Sequence, residues 1–253
     1  AAGKFVSTEL AERRNLILAN PVAGNTYATA RTIIAAYQMV KGHEVARSHR
    51  HTPNALRLVV EGGPKVYTVV NGKKIPMLPG DVLLTPNWSW HGHNNESDDC
   101  AYWIDFLDAP LVHLLEPMFL EPYAADFVEK TDTVDEASAF RFAFSDVRRR
   151  LENTPQTQAG LRDLLLGPAT LDTLDLHVLR IDAGEKFSDS RSTANSVFAV
   201  MDGQGTSVID EREFFWERGD VFVVPSWNTH AYRAESLSYL LRVTDEPVMK
   251  RFN

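Results

Sequence analysis

The sequence has 253 residues, 44% of them hydrophobic and 24% charged, which excludes a disordered or fibrous chain and fits one large or two small globular domains. A net charge of -8, with no run of lysine and arginine among aromatic residues, argues against binding to nucleic acid. No apolar stretch approaches the length that spans a membrane, and the single cysteine, Cys100, cannot form an intramolecular disulfide, so we expect a cytoplasmic protein without a membrane partner.

Two stretches have a helical pattern, residues 8–18 near the start of the chain and residues 137–152. Between them, short runs of β-branched and aromatic residues alternate with turns rich in glycine, proline and asparagine. The strands predicted in this region are residues 56–60, 65–70 and 81–84. Asn71 and Gly72 separate two such runs, and this pair predicts a tight hairpin.

The second half of the chain repeats the pattern of the first. Residues 218–230 match residues 79–91, and both stretches run from a Gly-Asp turn to a histidine over the same interval. We therefore predict a fold dominated by β-structure, with two antiparallel jelly-roll barrels of one design and a helical N-terminal arm and linker. The predicted segments are an arm at residues 1–30, a first barrel at 31–120, a linker at 121–170 and a second barrel at 171–253.

Three histidines of the first predicted barrel have the spacing of metal ligands. His49 and His51 are two residues apart on a predicted strand and therefore point to the same face, and His91 follows on a later strand. Neutral imidazole suits Fe, Zn, Cu or Ni, and three ligands on a six-coordinate ion leave positions for a substrate. In the second half, serines replace the first two histidines and only His230 has a counterpart, so we expect a metal in the first barrel alone.

These motifs resemble a known family. The His-x-His pair, the Gly-Asp turn and the later histidine are similar to the two motifs of the cupin superfamily, and residues 48–57 and 84–93 resemble the gentisate 1,2-dioxygenase family of bicupins. The resemblance extends to residues 12–14, 102–111 and 222–227. It implies an Fe(II)-dependent dioxygenase that uses O2 to open an ortho-hydroxy aromatic acid, with gentisate favoured and with salicylate, a nitrosalicylate or 1-hydroxy-2-naphthoate as alternatives.

One departure from the wider superfamily supports the narrower resemblance. Many cupins place a glutamate ligand shortly after the second histidine, where this chain has Ala55 and Leu56. Three histidines on an octahedral ion then leave room for two oxygens of a chelating substrate and one position for dioxygen. This arithmetic favours a substrate that carries a carboxylate beside a hydroxyl.

Further pocket residues follow from strand parity and from the resemblance. Arg57 shares the parity of His49, so we expect it to face inward and to offset a substrate carboxylate, the alternative being an exposed arginine at the barrel rim. His93 lies two residues after His91 and would move the proton of a substrate hydroxyl. The resemblance implies substrate contacts at Arg57, His93, Gln38, Arg13 and Arg14.

Asp105 has two interpretations. By resemblance it is a carboxylate that orients the proton relay, and the alternative is a turn-forming aspartate. Trp88, Trp90 and Trp103 are expected to pack in the core and rim rather than to stack on substrate.

Other functions remain open at this level. The chain could be a non-catalytic storage or regulatory bicupin with a structural metal, or a metal-dependent decarboxylase or isomerase, although these enzymes usually carry the missing glutamate. The resemblance also implies a homo-oligomer, commonly a tetramer.

Overall fold

The computed structural model describes residues 14–167 and 171–252, which form two compact units rich in β-structure. Unit 1 comprises the residues up to Tyr27 together with Ile34–Phe144, and unit 2 comprises Ala28–Ile33 and the residues from Ser145 onward. Within the described residues, every helix is too short or too polar to cross a membrane.

Unit 1 consists of two antiparallel sheets. Its strands are β1 (Arg14–Ile17), β2 (Ile34–Val40), β3 (Val45–His51), β4 (Ala55–Glu61), β5 (Gly63–Val70), β6 (Lys73–Met77), β7 (Val82–Thr85), β8 (His91–Asn95), β9 (Ala101–Leu107), β10 (Leu120–Pro122) and β11 (Arg141–Phe142), and the helix α1 (Ala109–Leu114) follows β9. The strand orders are β1-β2-β9-β4-β7-β11 and β10-β3-β8-β5-β6. Val59 and Trp103 of the first sheet pack with Val66 and Val70 of the second to form the core.

The strands predicted from local pattern are confirmed. The three predicted runs correspond to β4, β5 and β7. Asn71 and Gly72 join β5 to β6 with φ of 47° and 82°. Asparagine and glycine accept these left-handed conformations, which a two-residue hairpin turn requires.

The helix predicted at residues 8–18 is wrong over residues 14–18, and residues 14–30 of the predicted helical arm contain no helix; the rest of both predictions lies outside the described residues. Residues 14–17 form the edge strand β1, in which Arg14 lies opposite Met39 of β2. A short helical pattern is a weak preference, and pairing with the open edge of β2 satisfies the backbone of this segment instead. The helix predicted at residues 137–152 is confirmed only in its second half, where α2 spans Phe144–Glu152.

Unit 2 repeats the design of unit 1. Its elements are β12 (Gln156–Gln158), β13 (Leu161–Leu165), β14 (Asp175–Ile181), β15 (Lys186–Asp189), β16 (Ser196–Asp202), β17 (Gln204–Ile209), β18 (Arg212–Glu217), β19 (Val221–Val224), β20 (His230–Ala234), β21 (Ser238–Thr244) and the helix α3 (Glu246–Met249). The orders β14-β21-β16-β19 and β15-β20-β17-β18 match β2-β9-β4-β7 and β3-β8-β5-β6. The repeated, predominantly β fold is thus confirmed, as paired sheets in each unit.

Strands of the predicted linker belong to the sheets of both units. β10 pairs with β3 and β11 with β7, whereas β12 and β13 extend the sheet that contains β14. The boundaries predicted from the sequence, with a linker at residues 121–170, remain a proposal.

The repeat extends to a buried hydrogen-bond pair. The backbone and side-chain amides of Asn54 donate to Asp108 at 2.8 and 3.1 Å, and Asn195 donates in the same way to Asp245 at 2.7 and 2.8 Å. In unit 1 the Asn54 side-chain oxygen also accepts from the Asn87 backbone at 2.9 Å. Each pair ties the loop after one strand to the end of another, so a buried polar network secures both units.

We expect Asp245→Ala to lower the free energy of unfolding by about 2 kcal/mol or more, because it removes the buried carboxylate that accepts from the backbone and side-chain amides of Asn195 and from the Thr32 hydroxyl. Urea unfolding at neutral pH measures the change, with Asp172→Ala at an exposed turn as the control. Equal free energies of unfolding for the two variants would contradict the stabilising role of the Asp245 carboxylate.

Candidate metal centre

The three predicted ligand histidines converge in unit 1. One ring nitrogen from each of His49, His51 and His91 lies within 4.8 Å of the others. The ring centres of His49 and His51 are 4.4 and 4.8 Å from that of His91. His49 and His91 are buried and His51 is half-buried. Two neighbouring strands, β3 and β8, thus carry all three imidazoles to one point.

A β-bulge produces this alignment. Ala46 of β3 lies opposite His93 of β8, and His49 lies opposite His91, so three steps along β3 correspond to two along β8. The extra residue brings His49 to the face that His91 occupies. Gly92 makes the bulge sterically possible, because a Cβ there would lie 2.9 Å from the Ser48 hydroxyl oxygen.

Backbone carbonyls select the tautomer of each histidine. The Nδ1 atoms of His49, His51 and His91 lie 3.2, 2.8 and 2.9 Å from the carbonyl oxygens of residues 47, 53 and 89. A carbonyl only accepts, so each Nδ1 carries the proton and donates it. The lone pair of every ring then resides on Nε2, the nitrogen that can bind a metal.

The electrostatic surroundings keep His91 neutral. Burial lowers the pKa of His91 well below its ordinary value of 6.5, and the nearby His49, His51 and Arg57 lower it further. A neutral imidazole is the form that coordinates a metal, so His91 is ready to bind near neutral pH.

The donor set fits a first-row divalent ion. It contains three imidazole nitrogens and, in the part of the chain that the structure describes, no carboxylate belongs to the group. Ala55 and Leu56, at the positions where a glutamate ligand was considered, are both buried apolar residues of β4. Imidazole ligands suit iron, zinc, copper or nickel, and three of them leave an open coordination sphere.

Arg57 is buried beside the triad. It is only 1% exposed, which excludes the alternative of an exposed rim arginine. Its Nη1 lies 2.9 Å from both ring nitrogens of His93, and its N–H can donate to one of them at a time. Its Nη2 donates to the Thr85 hydroxyl at 3.0 Å, and its Nε lies 3.4 Å from a carboxylate oxygen of Asp105.

Strand register explains why these groups meet. Arg57 lies directly opposite Asp105 in the first sheet, and His93 lies opposite Thr68 in the second. Asp105 is buried in the middle of β9, so it is not a turn residue. The predicted set of Arg57, His93 and Asp105 is therefore one contiguous cluster. Thr68, whose hydroxyl accepts from Arg57 at 3.3 Å, is a member that the sequence analysis missed, although its strand parity could have indicated it.

The remaining predicted substrate residues differ in position. Gln38 is buried on β2 opposite Trp103, on the face that also carries the core residue Val40. Arg14 lies opposite Met39, on the other face, and its guanidinium donates to Glu44 at 2.7 and 3.1 Å. This position does not support a substrate contact for Arg14. The prediction for Arg13 lies outside the described residues.

A second group of possible ligands lies in unit 2. Asp175, His177 and Glu246 offer atoms within 4.8 Å of one another. His177 Nδ1 lies 2.6 Å from a carboxylate oxygen of Asp163, and Glu246 accepts from Lys250 at 3.0 Å, so two of these side chains have protein partners. The sequence analysis missed this group because its members come from distant segments. His230, the counterpart of His91, is not a member.

Comparisons with known proteins agree with this geometry. Residues 36–107 and 177–243 match the model of the cupin domain. The chain is 33% identical to 5-aminosalicylate 1,2-dioxygenase of Comamonas sp., over 98% of this chain and 75% of that protein. It is 32% identical to gentisate 1,2-dioxygenase 1 of Aquipseudomonas alcaligenes, over 99% of this chain and 80% of that protein.

A solved structure is similar over the same extent. Salicylate 1,2-dioxygenase from Pseudoaminobacter salicylatoxidans, solved as an adduct with gentisate, superposes with a TM-score of 0.90 at 30% identity, covering 99% of this chain and 78% of that one.

We expect His91→Ala to weaken divalent metal binding by about 100-fold or more, because it removes one of three ligands. The matched control is His230→Ala, which removes the corresponding histidine of unit 2 and should leave binding unchanged. Metal content after anaerobic loading with Fe(II) and dialysis measures both variants. Retention of a full equivalent by His91→Ala would contradict the site.

The lowered pKa of His91 predicts a pH dependence of stability in the metal-free protein. As the pH falls through about 6.5, the unfolded chain takes up a proton at this residue and the folded chain does not, so the free energy of unfolding should decrease by up to ~1.4 kcal/mol per pH unit. Urea unfolding between about pH 5.5 and 8 measures the slope. His91→Gln should flatten it, whereas His43→Gln, at an exposed histidine, should not.

Proposed function

This chain belongs to the bicupin ring-cleaving dioxygenases of the gentisate and salicylate type, and on that premise we propose that it depends on Fe(II) and that gentisate is its first candidate substrate. Salicylate, a nitrosalicylate and 1-hydroxy-2-naphthoate are alternatives, and a relative from Nocardioides sp. that is 32% identical bears the name 1-hydroxy-2-naphthoate dioxygenase. These acids share a carboxylate beside a ring hydroxyl.

The observation that carries the proposal is a triad of converging imidazoles next to a buried cation. His49, His51 and His91 would hold Fe(II) without a protein carboxylate, and Arg57 provides a positive charge that is almost wholly removed from water. When bound, the metal supplies a Lewis acid for a chelating substrate and the electron-transfer chemistry that activates dioxygen. A small dianionic or monoanionic hydroxy acid complements both centres.

The protein groups would divide the remaining work. The Arg57 guanidinium is held by Thr85 and Asp105, so it is oriented before substrate arrives and can bind the substrate carboxylate. His93 faces Arg57 at 2.9 Å and accepts its hydrogen bond only as a neutral ring. Once a carboxylate offsets the charge of Arg57, His93 is free to accept the proton of the substrate hydroxyl.

Asp105 and Gln38 would act in supporting roles. Asp105 balances the charge of Arg57 and fixes its orientation, so it acts on the reaction through that residue. Gln38 presents an amide from β2 on the inward face and would contact the substrate. Ring opening would take place between the carbons that carry the carboxylate and the hydroxyl.

The alternatives of other classes are less well supported. Similarity to enzymes over nearly the whole chain argues against a non-catalytic storage or regulatory bicupin. A decarboxylase or isomerase would usually have a carboxylate among the metal ligands, and the triad has none within the described residues.

We further propose that the protein is cytoplasmic and forms a homo-oligomer, a tetramer by family resemblance. The segment from the last residue of α1 to the first residue of β10 carries apolar side chains that are between 61% and 72% exposed, namely Leu114, Leu115, Phe119 and Leu120. Exposed apolar clusters of this kind are typical of surfaces that bind another protein. Analytical ultracentrifugation tests the oligomeric state.

We expect oxygen uptake when the chain is loaded anaerobically with Fe(II) and then given air and an ortho-hydroxy aromatic acid. The panel is gentisate, salicylate, 5-aminosalicylate and 1-hydroxy-2-naphthoate, and 3-hydroxybenzoate is the control because it cannot chelate through adjacent oxygens. An oxygen electrode should record one O2 per molecule of substrate opened. No uptake with any member of the panel would defeat the proposal.

A further inference from the structure

The side chain of Arg50 lies on the outer face of β3, the strand that carries two of the three histidines. Because His49 and His51 point inward, the residue between them points outward. The guanidinium carbon of Arg50 lies 4.4 Å from the ring centre of Trp88 and 4.5 Å from that of Trp90. These distances are typical of cation–π contacts, and a planar guanidinium can contact both rings at once.

A carboxylate holds the same guanidinium from the other side. The Nε and Nη2 atoms of Arg50 donate to one carboxylate oxygen of Glu121 at 2.8 and 2.6 Å. Glu121 lies on β10, directly opposite Arg50 in the sheet. The side chain of Arg50 is only 26% exposed.

Both tryptophans belong to the segment that leads into the third histidine. Trp88 donates its backbone N–H to the carbonyl of His51 at 2.8 Å, and Trp90 directly precedes His91. Trp88 has φ of 58°, a left-handed conformation that a bulky residue adopts only where its surroundings enforce it. The course of this segment therefore depends on contacts outside its own sequence.

We propose that Arg50 is a positioning residue for the metal centre, which clamps the segment before His91 onto β3 and so sets the separation of His91 from His49 and His51. This inference rests on the metal centre of the proposed function. Arg50 does not touch the metal position, because it lies on the opposite face of the strand. Its effect should appear in metal affinity and ligand geometry.

The test is Co(II) binding to the metal-free protein, with Arg50→Met as the main variant. Methionine retains the length of the side chain and removes both the charge and the planar donor group. We expect the dissociation constant for Co(II) to rise about 10-fold and the visible ligand-field bands to shift, because removing a group that orients metal ligands costs affinity on this scale. The control is Arg149→Met, which removes an exposed arginine paired with Asp146.

Two further variants separate positioning from general stability. Arg50→Lys retains the charge and the partner Glu121 and loses the flat contact with both rings, so it should fall between Arg50→Met and the unsubstituted chain. Trp88→Phe should shift the Co(II) spectrum in the same direction as Arg50→Met. In urea unfolding, the metal-free variants should have the same free energy of unfolding as the metal-free unsubstituted chain.

The outcomes are distinguishable. Both Arg50 variants are compared directly with Arg149→Met. The inference is overturned, and the metal centre is left intact, if both bind Co(II) with the dissociation constant and the spectrum of Arg149→Met. Failure of the unsubstituted chain to bind Co(II) would overturn the metal centre and the inference together.

Discussion

The candidate metal centre depends on three hydrogen bonds from imidazole Nδ1 atoms to backbone carbonyls. A metal-binding nitrogen needs a lone pair, and a histidine can place that lone pair on either ring nitrogen. In His49, His51 and His91 the Nδ1–H donates to the carbonyl of a residue two positions away, so all three rings present Nε2. The backbone of β3 and of the segments next to β3 and β8 thereby determines both the direction and the chemistry of the ligands.

A second constraint is the buried charge of Arg57. A guanidinium removed from water must be surrounded by acceptors, and here these come from both sheets of unit 1. Asp105 and Thr85 approach from the sheet that carries Arg57, and His93 and Thr68 approach from the facing sheet. The network that satisfies the charge also brings a cation and a neutral base together beside the triad.

The strand β3 shows how the two faces of one segment serve one site. Its inward residues bind the metal in our proposal, and its outward residue Arg50 makes contacts that hold neighbouring segments. Unit 2 has the same strand order, but Ser190 and Ser192 replace two ligands and Phe198 of β16 takes the place that Arg57 has in β4. In the repeat, therefore, Phe198 belongs to the hydrophobic core at the position where unit 1 has a buried cation.

The sequence by itself determined the features that arise from local periodicity. Alternation along β3 placed His49 and His51 on one face, and the Asn-Gly pair marked a hairpin, because each depends on residues close together in the chain. Only the tertiary structure decided that residues 14–17 form a strand and that Arg14 pairs with Glu44, since an open sheet edge and a distant carboxylate outweigh local preference. Contacts between distant segments have no signature in local pattern, because the free energy that selects them arises only when the sheets pack together.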